Sequence, residues 1–338
     1  MHRHAAVIGH PIAHSLSPAL HRAAYACLGL PLEYGRRDLA PRELAGFLAA
    51  CADGTAVADP EPAAEGGTAG EGGPTGRDDD GPAPSRNLAP GPWVGLSVTM
   101  PHKQAVAAAA AARSPRVELL GAANTLVWGH PEHGAGPWAH NTDVEGIMGA
   151  LRFAGLPVLS GAETVGVVGN GGTAAAAVLA ASLLDAGRVA FFVRSAERAA
   201  PLADLARQCG LAADVHGLDE LTRAAGHLAA VVCTLPPHAA DPLAARLPGV
   251  GAVALPPLLD ATYDPWPSAI ARSWQAAGGA VVSGLEMLLC QAVEQVRLFS
   301  ASAVAQGEEP ALYERVEHAD WAEVTAVMAR AIGLPPRH

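Results

Sequence analysis

Six consecutive residues, Gly169-Asn170-Gly171-Gly172-Thr173-Ala174, constrain this chain more than any others. They separate an apolar run at 164–168 from an alanine-rich stretch at 173–184, and they satisfy G-x-G-x-x-A. In that setting the first glycine permits a tight strand-to-helix turn and the second lets backbone approach a pyrophosphate. The helix start adds free amides and a positive dipole. An ordinary strand-to-helix turn is the alternative for the same residues. Further segments continue the rhythm: strand at 189–193, helix at 195–208, strands at 231–235 and 280–282. Strands alternating with helices form a parallel, doubly wound sheet, so the expected fold class is α/β.

With 338 residues, half of them hydrophobic (50%) and only 16% charged, the chain can build two compact domains with real cores. Its net charge of -11 offers no basic footprint for a nucleic-acid backbone or an anionic membrane. The apolar run at 105–112 is too short to cross a bilayer. A small-molecule substrate is the expected partner, handled by a monomer or homodimer. The five cysteines, Cys27, Cys51, Cys209, Cys233 and Cys290, are scattered and never form C-x-x-C. That pattern argues against a disulfide framework or a zinc cage, so no metal is expected, and the thiols suit a reducing cytoplasm. The N-terminal stretch lacks the long apolar core of a signal peptide.

Elsewhere a short apolar strand is expected at 5–9, then an N-cap at Ser17 with Pro18 opening a helix that carries Leu20, Ala24, Cys27 and Leu28 on one face. A second helix starts near Pro41, with Leu44, Phe47, Leu48 and Cys51 aligned. Residues 54–92 are rich in Gly, Pro, Ala and Asp and nearly without large apolar residues, which predicts a disordered, low-complexity surface insertion. Val94, Leu96 and Val98 alternate as a strand, and Pro101 then starts a helix with Lys103 in its first turn. After Gly284 a helix bearing Leu285, Leu288, Leu289, Ala292, Val296 and Phe299 is too apolar to stand alone and is expected to pack back on the first domain. One more amphipathic helix is expected over 316–332. The domain reading is therefore 1–142 plus 285–338 as a substrate-binding α/β domain, with 143–284 as a Rossmann-type dinucleotide-binding domain.

Several polar residues could carry chemistry. After strand 189–193 an NAD site normally places an acidic residue on the ribose, but the chain reads Val193-Arg194-Ser195. Arg194 suits a 2′-phosphate, with Arg198 one turn away, so NADP is favoured over NAD; two solvated arginines are the bland alternative. Ser15 and Ser17 flank the first helix start, where hydroxyls, amides and dipole make a carboxylate-sized anion site; alternatively Ser17 is a cap and Ser15 a turn residue. Lys103 faces an unfavourable helix dipole that a nearby carboxylate would offset, and Asp143 also sits at a helix start. Together with a dinucleotide site the two suggest proton transfer coupled to hydride transfer. Against this, Thr142-Asp143-Val144-Glu145 also reads as a capping box, and an isolated Lys is usually a solvated charge.

These motifs resemble those of the shikimate dehydrogenase family over nearly the whole chain apart from 54–92. His10-Pro11-Ile12-Ala13-His14-Ser15-Leu16-Ser17-Pro18 is similar to the family's carboxylate-binding segment, implying Ser15 and Ser17 as carboxylate contacts. Ser97-Val98-Thr99-Met100-Pro101-His102-Lys103 resembles its catalytic segment, implying Lys103 as acid/base and Thr99 as a substrate contact. Gly121-Ala122-Ala123-Asn124-Thr125 and Asn141-Thr142-Asp143 imply Asn124 and Asp143 on ring hydroxyls, Asp143 also pairing with Lys103. Asp260-Ala261-Thr262-Tyr263 and the stretch 284–291 imply Tyr263 and Gln291 at the substrate, with Gly284 and Met287 lining the nicotinamide. From the residues alone, a core tyrosine and a surface glutamine would be preferred for Tyr263 and Gln291. Three positions depart from the family pattern: Ser97 and Val193 stand where asparagines are usual, and Val144 where a glycine is.

The resemblance implies reversible, NADPH-dependent reduction of 3-dehydroshikimate to shikimate in aromatic amino-acid biosynthesis. Its competitors are a paralogue acting on quinate or aminoshikimate, and a non-catalytic NADP(H)-binding sensor. A folate dehydrogenase of related architecture would leave the two-serine segment unexplained.

Overall fold

The computed structural model describes residues 3–57, 91–247, 254–307 and 310–335. The expected insertion at 54–92 lies almost wholly outside the described residues.

Two six-stranded sheets organise the chain. The first is built from β1 (Arg3–Gly9), β2 (Leu32–Asp38), β3 (Trp93–Val98), β4 (Ala112–Arg113), β5 (Thr125–Val127) and β6 (Trp138–His140) in the order β2-β1-β3-β5-β6-β4. β1 runs parallel to both β2 and β3, whereas β5 is antiparallel to β3 and β6. Side chains alternate across a strand, so β1 feeds two cores. Ala5 and Val7 join Tyr25, Phe299 and Met328 on one face; Ala6 and Ile8 join Phe47 and Leu96 on the other. A strand covered on both faces reads as an unbroken apolar run, which is why 5–9 was legible.

The second sheet contains β7 (Thr164–Val168), β8 (Arg188–Val193), β9 (Ala212–Gly217), β10 (Ala230–Cys233), β11 (Leu258–Asp260) and β12 (Val281–Ser283). All its pairings are parallel, in the order β12-β11-β10-β7-β8-β9. That order reverses direction between β7 and β10. The carboxyl ends of strands at such a switch point open a crevice in which doubly wound sheets bind ligands.

Thirteen α-helices cover these sheets among the described residues. α1 (Ser17–Leu28), α2 (Leu44–Ala52), α3 (Lys103–Ala109) and α4 (Pro115–Leu120) belong to the first sheet. α5 (Asp143–Phe153), α6 (Gly172–Leu183), α7 (Ala200–Gln208), α8 (Leu221–Ala224), α9 (Asp241–Ala244) and α10 (Ala269–Ala276) follow. α11 (Gly284–Ala305), α12 (Pro310–Glu317) and α13 (Trp321–Ala331) return to the first sheet, where Leu289, Val296, Phe299, Leu312 and Met328 enter its core.

The helix α5 lies directly against α11, and two glycines set the spacing. A Cβ on Gly146 would stand 2.7 Å from the Met287 carbonyl oxygen, and one on Gly149 would stand 2.6 Å from the Cys290 sulfur. Backbones approach that closely only where no side chain intervenes.

Several local expectations need correction. The helix expected over 316–332 is two helices, broken where Asp320 turns out of the helical region and caps α13 by accepting from the Ala322 and Glu323 amides. Ser17 is the first residue of α1 rather than its cap; the capping position is Leu16, and no side chain caps there. The helix expected from 195 opens as a 3-10 turn at Glu197–Ala199 before α7, which carries Pro201 in its first turn.

Candidate active site

A cavity of about 280 Å³ lies between the two sheets. From the first sheet it is lined by Ser15, Ser17, Ser97, Thr99 and Lys103, and from α5 by Asp143. Thr173, Tyr263, Gly284, Met287 and Gln291 complete it from the dinucleotide side and α11.

The segment joining β1 to α1 is pinned from β2. His10 Nδ1 lies 2.5 Å from Asp38 Oδ1, the Ile12 amide donates to Asp38 Oδ2 at 3.3 Å, and Arg36 donates to the Ala13 carbonyl. The His10 contact holds the exposed Asp38 carboxyl below its ordinary pKa. Within the segment, Ser15 Oγ accepts the Ser17 amide at 3.3 Å, so Ser15 is a turn residue and a wall residue at once.

Lys103 opens α3, just beyond the C-terminal end of β3. Its neighbour His102 is buried and locked by an Nε2 contact of 2.6 Å to the Leu39 carbonyl, which fixes the start of the helix. Lys103 Nζ donates to Asp143 Oδ2 at 2.5 Å; the lysine side chain is 22% exposed and the aspartate 4%. This is no solvated surface charge. The capping-box alternative for Asp143 also fails, because the residues that box requires are engaged elsewhere. The Thr142 amide donates to Asn124 Oδ1 at 2.8 Å, and Glu145 pairs with Arg116. The Asp143 carboxylate is thereby left to Lys103 and to Asn124, whose Nδ2 donates to Asp143 Oδ1 at 2.9 Å.

Asn124 is buried behind the cavity wall and does not line it. Its Nδ2 also reaches Thr142 Oγ1 at 3.0 Å and Gln291 Oε1 at 2.8 Å. An amide nitrogen has two hydrogens, so these three acceptors compete and Gln291 is the one that can turn to a ligand. Tyr263 is half-buried, and burial raises its phenol pKa. Gly284 is required by packing, since a Cβ there would stand 2.1 Å from the Ala261 carbonyl oxygen.

The turn after β7 is shaped for a dinucleotide. Gly169 has φ +113°, and a Cβ on it would stand 2.4 Å from Thr234 Oγ1. Around Gly171 and Gly172 a Cβ would meet nothing within 4 Å, so the start of α6 faces open space. No side chain caps that helix, which leaves its first amides available. A second, smaller recess of about 60 Å³ is lined by Gly169, Asn170, Val193, Arg194, Ser195 and Arg198, among others. Asn170 Nδ2 ties the turn to the Arg198 carbonyl at 3.3 Å. Among the described residues neither Arg194 nor Arg198 forms an ion pair.

Among the described residues, one group of potential metal ligands stands outside the cavity: His130, Glu132 and His133 bring ligand atoms within 4.8 Å of one another. They sit in the connection between β5 and β6, where His130 Nδ1 accepts the Glu132 amide at 3.3 Å, His133 stacks on Trp138 and His130 stacks on His133. Those contacts close the hairpin. No helix among the described residues is long and apolar enough to cross a membrane.

Residues 7–60 match the family model for the shikimate dehydrogenase substrate binding domain. A shikimate dehydrogenase (NADP(+)) of Halorubrum lacusprofundi is 34% identical over 320 residues, covering 92% of this chain and 98% of that protein. The chain belongs to the shikimate dehydrogenase family. Among solved shikimate dehydrogenases, that of Mycobacterium fortuitum superposes with a TM-score of 0.67 at 37% identity, covering 90% of this chain and 98% of that one. The Thermus thermophilus shikimate dehydrogenase, solved in complex with NADP(H) and shikimate, gives a TM-score of 0.66 at 26% identity, covering 98% and 100%.

Against the family pattern, the wall residue most easily overlooked in the sequence is Gln295. It lines the cavity one helical turn beyond Gln291, and its i+4 spacing was the available signal. His14 also lines the cavity, between the anchored His10 and the two serines. Ser97 stood out in sequence only as a departure from the shikimate dehydrogenase pattern. Alternation along β3 places it on the same face as Thr99, two residues on.

Proposed function

We propose that this chain is an NADP-dependent shikimate dehydrogenase, reducing 3-dehydroshikimate reversibly to shikimate in aromatic amino-acid biosynthesis. The observation that carries the reading is the pairing of half-buried Lys103 with buried Asp143 at 2.5 Å, opening into a cavity whose far wall is the dinucleotide side. The same arrangement supports assigning 1–142 plus 285–338 to substrate and 143–284 to cofactor, and five free cysteines suit a cytoplasmic protein.

The residues present fit an NADP molecule. The open space at Gly171 and Gly172 admits a pyrophosphate, while the unpaired Arg194 and Arg198, with Ser195, flank the recess a 2′-phosphate would occupy. Thr173, Gly284 and Met287 border the main cavity where the nicotinamide would lie. When bound, NADPH supplies the hydride.

The chain's own groups do the rest. Ser15 and Ser17, at the positive end of α1, hold the substrate carboxylate. Thr99, Tyr263 and Gln291 orient the ring, with Asn124 behind them. Lys103 Nζ gives a proton to the carbonyl oxygen as it becomes an alcohol, and takes it back in the oxidative direction. Asp143 keeps the ammonium aimed, through a charge-assisted bond roughly twice as strong as a neutral one.

The test follows reduced-nicotinamide absorbance with shikimate, quinate and aminoshikimate, each with NADP and with NAD. A strong preference for shikimate with NADP is expected. Preference for quinate or aminoshikimate moves the assignment to a paralogue, and NADPH binding without turnover to a sensor.

A further inference from the structure

Behind the cavity wall, a chain of buried polar groups has a direction that backbone atoms fix. Gln295 Nε2 donates to the Asn124 carbonyl at 3.1 Å and to Thr125 Oγ1 at 3.0 Å. A carbonyl can only accept, so the orientation of the Gln295 amide is settled and its Oε1 must face the other way, toward Ser97 at 2.7 Å and His21 Nε2 at 3.3 Å. That oxygen needs donors. The Ser97 hydroxyl therefore points its proton inward, and the Tyr34 hydroxyl, 2.7 Å from Ser97 Oγ, must in turn donate to it. His21 is fully buried, and desolvation lowers its pKa to about 3, so it is neutral. Its Nε2–H serves Gln295, and its Nδ1 accepts the Tyr25 hydroxyl at 2.9 Å.

The other arm is fixed in the same way. The Thr142 amide donates to Asn124 Oδ1 at 2.8 Å, and Thr125 Oγ1, having accepted from Gln295, donates to the same oxygen at 2.7 Å. The Asn124 Nδ2 is thereby turned to Asp143.

We infer that Gln295 is the positioning residue of this active site, acting through two separate arms. Through Thr125 and Asn124 it aims the Asp143 carboxylate at Lys103. Through Ser97, backed by Tyr34, it draws the Ser97 hydroxyl proton inward, so Ser97 presents substrate with a lone pair and no donor. The substrate group that meets Ser97 must then be a donor, a hydroxyl or an amine rather than a carbonyl. The inference rests on the functional reading above.

The two arms make different kinetic predictions. Thr125→Val cuts the Asn124 arm and leaves the Ser97 arm whole. It should lower kcat by about tenfold with KM for shikimate nearly constant, and Thr125→Ser, which keeps the hydroxyl, should restore it. Ser97→Ala removes that lone pair without touching Asn124. It should raise KM for shikimate by roughly fivefold with kcat nearly constant. A purely structural role would lower activity through both parameters and would not divide them between arms. Turnover by the unaltered protein, with the two variants changing kcat and KM in the same proportion or not at all, overturns this inference alone. Absence of turnover by the unaltered protein overturns the functional reading and this inference with it.

Discussion

On the Lys103 wall of the cleft, polar groups reach one another before any ligand arrives: lysine to aspartate, aspartate to asparagine, asparagine to threonine and glutamine. The dinucleotide wall is organised by omission instead. It offers glycines with empty space in front of them, a helix start without a side-chain cap, and two arginines without carboxylate partners among the described residues. Groups that move a proton must be held in place beforehand, because a misaimed donor costs rate directly. A phosphate chain brings its own charges and acceptors, so the surface that receives it needs room and unsatisfied donors.

The contrast can be broken most severely at Lys103. Lys103→Ala should lower kcat by on the order of a thousandfold while changing substrate affinity modestly, measured as separate kcat and KM values. Comparable turnover in the variant would remove the residue from the chemistry. On the opposite wall, Arg194→Gln should raise KM for NADP by about tenfold or more and leave that for NAD nearly unchanged, with the difference shrinking in high salt. An equal effect on both cofactors would mean that Arg194 does not meet a 2′-phosphate.

A further test sharpens the comparison through stability. His21, whose pKa is lowered to about 3 in the fold, resists protonation, whereas in the unfolded chain it takes up a proton near its ordinary value. Its contribution to stability is therefore lost as pH falls from about 6.5 toward 3, reaching roughly 4 kcal/mol at the lower end. Unfolding free energies measured across that range should show a slope that His21→Gln reduces by one proton; an unchanged slope would mean that His21 is not held neutral.

Much of the doubly wound sheet was legible because β7, β8 and β10 are unbroken apolar runs and the turn at Gly169 admits few residues. The first sheet was less so. β5 and β6 are three residues long, too short for a period to register, and in β2 buried Leu32 and Tyr34 are followed by Arg36, Arg37 and Asp38, whose polarity reads as loop. Among the site residues, the sequence could pair Lys103 with Asp143 but could not choose between carboxylate chemistry and helix capping. That choice depends on Asn124 taking the Thr142 amide and Arg116 taking Glu145, contacts between distant segments that leave no sequence signature. Gln295 was hidden for a related reason: on a long apolar helix a polar residue reads as solvent-facing until its partners on other elements are placed.

The glycine contacts between α5 and α11 give the cleft its gauge. α5 begins at Asp143, and α11 begins at Gly284 and carries Met287, so the carboxylate that aims the proton donor and the border of the nicotinamide site ride on two rods whose separation is set by bare backbone. The span over which a proton and a hydride must meet one carbonyl group is thus a machined clearance. It is fixed a turn away from any reacting atom, where a single added methyl would act as a shim.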